Sequence, residues 1–146
     1  MDISVLLENL SWHMPKEVQE AAITELLRLK DDELHILLQP NYKDCWDNAA
    51  LLIKKIGYPR IKKIIPGMFD WLQDINWPGA FIIIEALAEI GKKEILPFIE
   101  KLLTETNDDQ WIYGILLLVE EMELKEADFS NPDLYDKLQF VKFLKD

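Results

Sequence analysis

The chain has 146 residues and a formal net charge of −11. One domain of this length buries roughly 70% of its unfolded surface, so its core needs no staple. The acid excess argues against nucleic acid as a partner, since phosphate neutralisation dominates that binding.

A repeat organises the chain. Trp12, Trp46, Trp77 and Trp111 stand 34, 31 and 34 residues apart. Three positions after each come Pro15, Ala49, Ala80 and Gly114, mostly small residues. Pro66 and Pro97 each lie 20 residues after a repeat tryptophan and follow two apolar residues. Ile-Gly occurs at 56–57 and again at 90–91. Repeats of this length signal stacked helical units.

Residues 2–10 predict a short N-terminal helix under a cap. A weak first repeat follows over 11–40, with Asp31-Asp32 at its turn. The second covers 44–74: helix A over Trp46 to Ile56, a stop at Gly57, and helix B from Pro59. Asp44 is placed to cap its first helix. The third, 76–104, opens near Trp77, with Pro78 tolerated in the first turn and Asp74 or Asn76 as cap. It runs to Ile90, stops at Gly91 and resumes at Lys92 with Ile95, Leu96, Ile99, Leu102 and Leu103 at helical spacing. The fourth, 109–145, carries Trp111 to Met122, with Asp109 placed to cap it and Asp108-Asp109 read as a cap plus a turn residue. An irregular acidic stretch, ELKEADFSNPD, leads to a final helix from Leu134 to Leu144 started by Asn131 or Asp133. The third and fourth first helices are apolar nearly all round, so they belong in the middle of the stack. The tryptophans are expected to pack between layers; the alternative is one or two indoles exposed in a groove as binding anchors.

No stretch carries the residues of a known chemistry. The two histidines, His13 and His35, have no Glu-x-x-His, His-Glu-x-x-His or Cys-x-x-Cys around them, so no metal ligand set is expected. The five glycines are scattered, so nucleotide cofactors lack a phosphate cradle. Ser4, Ser11 and Ser130 lie outside any nucleophile elbow. The carboxylate pairs Asp70/Asp74 and Glu85/Glu89 share helix faces at i, i+4 and read as solvated edges. The single cysteine, Cys45, suits a reducing cytosol. Asp44 and Asp47 beside it should raise its pKa. MDISVLLENL lacks a basic n-region, and the longest apolar run, Trp111 to Val119, is too short to span a bilayer. The expectation is a cytoplasmic protein with no membrane and no cofactor.

Charge is uneven. Residues 1–73 carry net −2 and residues 74–146 net −9. Lys54, Lys55, Arg60, Lys62 and Lys63 crowd one short basic stretch, read as ion pairs to a neighbouring layer.

Three stretches carry a family resemblance: IIPGMFDWLQDINWPGA (64–80), ILPFIEKLL (95–103) and DDQWIYGILL (108–117). Through them residues 44–122 resemble a bacterial family known as domain of unknown function 5071, with HEAT-like helical repeats. The resemblance implies an all-α, HEAT-like α-α superhelix, a short right-handed solenoid of about four helix pairs. It implies no activity. Small acidic helical-repeat proteins also occur among bacterial immunity proteins, an analogy of fold.

The function that follows is a non-enzymatic protein-binding module whose acidic face engages a basic protein, with toxin neutralisation as the sharper form. Asp108, Asp109, Glu120, Glu121 and Glu123 are the candidate contact acids, with Trp77 and Trp111 as candidate anchors. The alternatives are a structural homo-oligomer or scaffold, and a helical-repeat enzyme acting on nucleic acid, which the charge disfavours.

Overall fold

In the computed structural model, which describes residues 2–146, every regular element is helical and no strand forms among the described residues. The helices are α1 (Ile3–Glu8), α2 (Lys16–Leu26), α3 (Trp46–Ile56), α4 (Ile65–Asp70), α5 (Ala80–Ile90), α6 (Lys92–Glu105), α7 (Asp109–Glu121) and α8 (Pro132–Lys145). Short 3₁₀ turns fill several connections, the longest at Asp31–Leu37. No helix of the described residues is long and apolar enough to cross a membrane.

A row of packed helices forms the centre: α3 lies against α5, α5 against α7, and α7 against α8. α5 and α7 are the two apolar helices, and their buried residues include Ile83, Ile84, Leu87, Ile112, Ile115 and Leu118. Small residues make the crossings close. Ala49, Ala80 and Gly114, the small repeat positions, are all buried. A Cβ on Gly114 would fall on the carbonyl oxygen of Leu72, so α7 rests directly on the 71–73 backbone. A Cβ on Gly79 would lie 2.9 Å from the carbonyl oxygen of Trp46, which sets the start of α5 against α3.

Helix ends follow local chemistry. Gly57 and Gly91, at φ 71° and 102°, stop α3 and α5 in conformations costly for other residues. Asp108, rather than the expected Asp109, caps α7 by accepting from the N–H groups of Gln110 (2.9 Å) and Trp111 (3.3 Å). Asn131 caps α8 by accepting from the Asp133 N–H at 2.9 Å.

Several sequence expectations are corrected. Helix B of the second repeat begins at Ile65, not Pro59. Pro66 lacks an N–H and fits a first turn, which a helix begun at Pro59 would deny it. Residues 59–64 form turns instead. The third repeat's first helix begins at Ala80 rather than Trp77. Asp74 does not cap it; its Oδ1 accepts from the Asn76 N–H at 2.9 Å and closes a tight turn upstream. Asp44 does not cap α3 either, because its carboxylate accepts from the Ser11 hydroxyl at 2.5 Å. Trp12 does not pack between layers: it is 48% exposed, and its indole N–H donates to the neighbouring His13 ring.

The tryptophan that matters most is outside the repeat spacing. Trp71 is fully buried, and its indole N–H donates to the Pro78 carbonyl at 2.9 Å. Its ring meets Trp46 edge-on at 5.8 Å, and Trp46 meets Trp77 edge-on at 5.8 Å. Trp46 donates to the Pro40 carbonyl at 2.6 Å and Trp111 to the Phe69 carbonyl at 2.9 Å. Three indoles therefore each satisfy a carbonyl in a turn or helix end, and Trp46 and Trp71 bury their rings beside it.

Gly114→Ala should destabilise the fold by ~1–3 kcal/mol through overpacking, although alanine is the better helix former. Chemical denaturation checks this. An unchanged or raised midpoint would mean that α7 does not lie on the Leu72 carbonyl.

Candidate interaction surface

α7 and α8 position the acidic residues. Asp108 and Asp109 stand at the first turn of α7 and are exposed. Glu120 and Glu121 end the same helix, and Glu123 follows in a left-handed turn at φ 56°; all three are exposed. Twelve residues separate Asp108 from Glu120, roughly 18 Å at 1.5 Å per residue. The five predicted acids thus form two groups at opposite ends of α7 rather than one patch.

The two ends differ. At the first, Asp108 is engaged by its helix N–H groups, leaving Asp109 and Glu105 at the surface. At the second, Glu120 accepts from Lys142 of α8 at 3.1 Å, and that contact raises the Lys142 pKa above the usual lysine value. Glu121 and Glu123 form no ion pair among the described residues. Asp128 is held differently. It accepts from the Lys125 N–H at 2.8 Å and from Lys92 Nζ at 3.0 Å, fastening the turn before α8 to the start of α6. Those bonds lower its carboxyl pKa, the backbone one most.

Trp77 and Trp111 are half-buried. Trp77 lies against Trp46, and the Trp111 indole N–H points to α4, away from solvent partners. The structure does not bring the two tryptophans and the two acid groups into one pocket. Trp111 is one turn from Asp108, whereas Trp77 shares a shallow depression with Asp47, Asn76 and Phe81.

Two of the five bases in the basic stretch are engaged internally, while Lys55, Lys62 and Lys63 are exposed. Lys54 lies 3.6 and 3.7 Å from Glu85 and Glu89 of α5, and Arg60 pairs with Asp31 at 2.7 Å while also donating to the Leu29 carbonyl. A separate cleft of about 250 Å³ lies between α1 and residues 35–42, lined by Glu8, His35, Gln39, Tyr42 and Cys45 among others. Burial, then Asp44 and Glu8, push the Cys45 thiol up to about 11. The thiol stays protonated at neutral pH, so this cleft holds no ready nucleophile.

One surface feature was missed in the sequence. Phe140, Phe143 and Leu144 on α8 are 59%, 76% and 51% exposed. Leu134, Leu138 and Val141 occupy the buried face of the same helix. Once that i, i+4, i+7 set is assigned to the core, the two phenylalanines fall on the opposite side. The signal was present, but an apolar residue in a terminal helix reads first as core.

Two solution measurements test the site chemistry. Asp128→Ala should lower stability at neutral pH. The folded carboxyl titrates below its unfolded value, so its contribution is present above the unfolded pKa and lost as pH falls through the folded one. Wild type and variant should therefore converge in acid; a gap independent of pH would contradict the assignment. Cys45 should react with a thiol reagent at pH 8 at least about a hundredfold faster in denaturant than in the fold, since its pKa is raised from 9.0 to about 11. Equal rates would refute its burial.

Among curated proteins and solved structures, nothing matches the chain. The family model for a domain of unknown function, DUF5071, matches residues 38–141, from the segment before α3 to the last core residue of α8. By that match, which covers the central helix row and both acid groups, the chain belongs to the DUF5071 family.

Proposed function

We propose that this chain is a non-enzymatic protein-binding module, a HEAT-like solenoid of helix pairs whose acid-rich C-terminal half engages a basic protein. Pairs α3–α4, α5–α6 and α7–α8 are the repeat units in this reading, and the first repeat is a reduced cap. The observation that carries it is the state of the carboxylates. Glu105, Asp109, Glu121, Glu123 and Glu126 are exposed, and none takes part in an ion pair among the described residues. The bases of the other half, by contrast, are partly spent on Glu85, Glu89 and Asp31. The field of residues 74–146, net −9, is therefore directed outward, where it steers and selects a cationic surface. Neutralisation of a basic toxin in the cytoplasm is the sharpest form of this reading.

A low-salt pull-down from source lysate, with Glu121→Lys/Glu123→Lys as control, tests it. This pair leaves the Glu120–Lys142 contact intact. Wild type should retain a basic protein that the control loses. Identical capture by both forms, or none by either, would overturn the reading.

A further inference from the structure

We infer that the outer face of α8 is a docking face for a basic amphipathic helix, an inference that rests on the acidic-surface reading above. Asp133, Asp136, Phe140, Phe143 and Leu144 fall on one side of α8 by helical spacing, and all five are exposed. A helix face left exposed ordinarily turns polar residues to water. Here two aromatic rings and a leucine occupy it, while the opposite side is already filled by Leu134, Leu138 and Val141. An exposed apolar stripe of this kind marks a contact surface.

Charge decides the occupant. Asp133 and Asp136 continue the stripe toward the start of α8, and neither forms an ion pair among the described residues. The nearby lysines are committed elsewhere. Lys137 donates to the Leu103 carbonyl at 2.5 Å, Lys142 to Glu120 at 3.1 Å, and Lys145 lies 5.0 Å from the Tyr113 ring centre. The face therefore offers apolar area with carboxylates at its head. A second copy brings the same aspartates and a net charge of −11, and the one base at the edge of the face, Lys137, is held by the Leu103 carbonyl. A helix with leucine-like residues on one side and lysine or arginine on its flanks meets both features. From Asp133 to Leu144 the face is roughly 16 Å long, about three helical turns.

The probe is a synthetic leucine–lysine peptide patterned as an amphipathic helix, with a scrambled peptide of equal composition and charge. Fluorescence anisotropy on the full chain at low salt should show the patterned peptide binding at least about tenfold tighter than the scrambled one. Phe140→Ser/Phe143→Ser should abolish that preference, with the thermal melt unchanged because both rings are exposed. Asp136→Lys should weaken binding and flatten its salt dependence. Equal affinity for both peptides, or a preference that survives the double serine variant, would overturn the docking face. Sedimentation as a dimer that Phe140→Ser/Phe143→Ser dissolves would overturn it too, assigning the stripe to a second copy. If Glu121→Lys/Glu123→Lys still loses the basic protein while the serine variant keeps it, only the α8 assignment fails.

Discussion

The close approach of backbones where α5 starts against α3 and where α7 rests on residues 71–73 is the constraint on which the rest depends. Gly114 sits where any side chain would meet the Leu72 carbonyl, and Gly79 where one would meet the Trp46 carbonyl. Helices that approach this closely need small residues at the crossing and large ones beside it. Trp46, Trp71 and Trp111 supply the bulk, and their indole N–H groups bind the carbonyls of Pro40, Pro78 and Phe69. Each bond removes a buried polar cost that such irregular turns would otherwise carry. Through Trp111, ring and bond also tie the first turn of α7 to the end of α4.

That placement governs the electrostatics. Because α7 is held lengthwise in the row, its acids emerge at two ends, and the Glu120 end is tied to α8 through Lys142. α8 is fastened there by Glu120–Lys142, by the Lys137 bond to Leu103, and by the Asp128 turn tied to Lys92. These contacts draw on lysines, the scarcer charge in this half of the chain, and leave the carboxylates outward. Exposed ion pairs of this kind add little stability individually. Their larger consequence is the sign of the surface that remains.

Much of this was legible in the residues. α3 begins at Trp46 and ends at Ile56 as the pattern predicts, because glycine at 57 and a clear apolar period leave little choice. The second helix of the third repeat and the Asn131 start of α8 follow equally local signals. The start of α5 did not, since Trp77 and Pro78 satisfy first-turn preferences while Gly79 is required by the crossing on α3, a tertiary demand. Trp71 escaped notice for a related reason: it stands off the repeat period, and its value comes from a bond to Pro78 that only the folded turn creates. The candidate acids were identified by charge alone. Sequence proximity suggested one face, and helix length separates it into two ends.

The central claim is that three indoles are fixed beside the helix row by N–H bonds to backbone carbonyls, while Trp12 and Trp77 make no such bond among the described residues. Hydrogen–deuterium exchange followed on the five tryptophan side-chain signals by ¹H–¹⁵N spectroscopy tests it most directly. The account predicts slow exchange for Trp46, Trp71 and Trp111, and fast exchange for Trp12 and Trp77. Five indoles exchanging at one rate, or Trp71 among the fast ones, would contradict it.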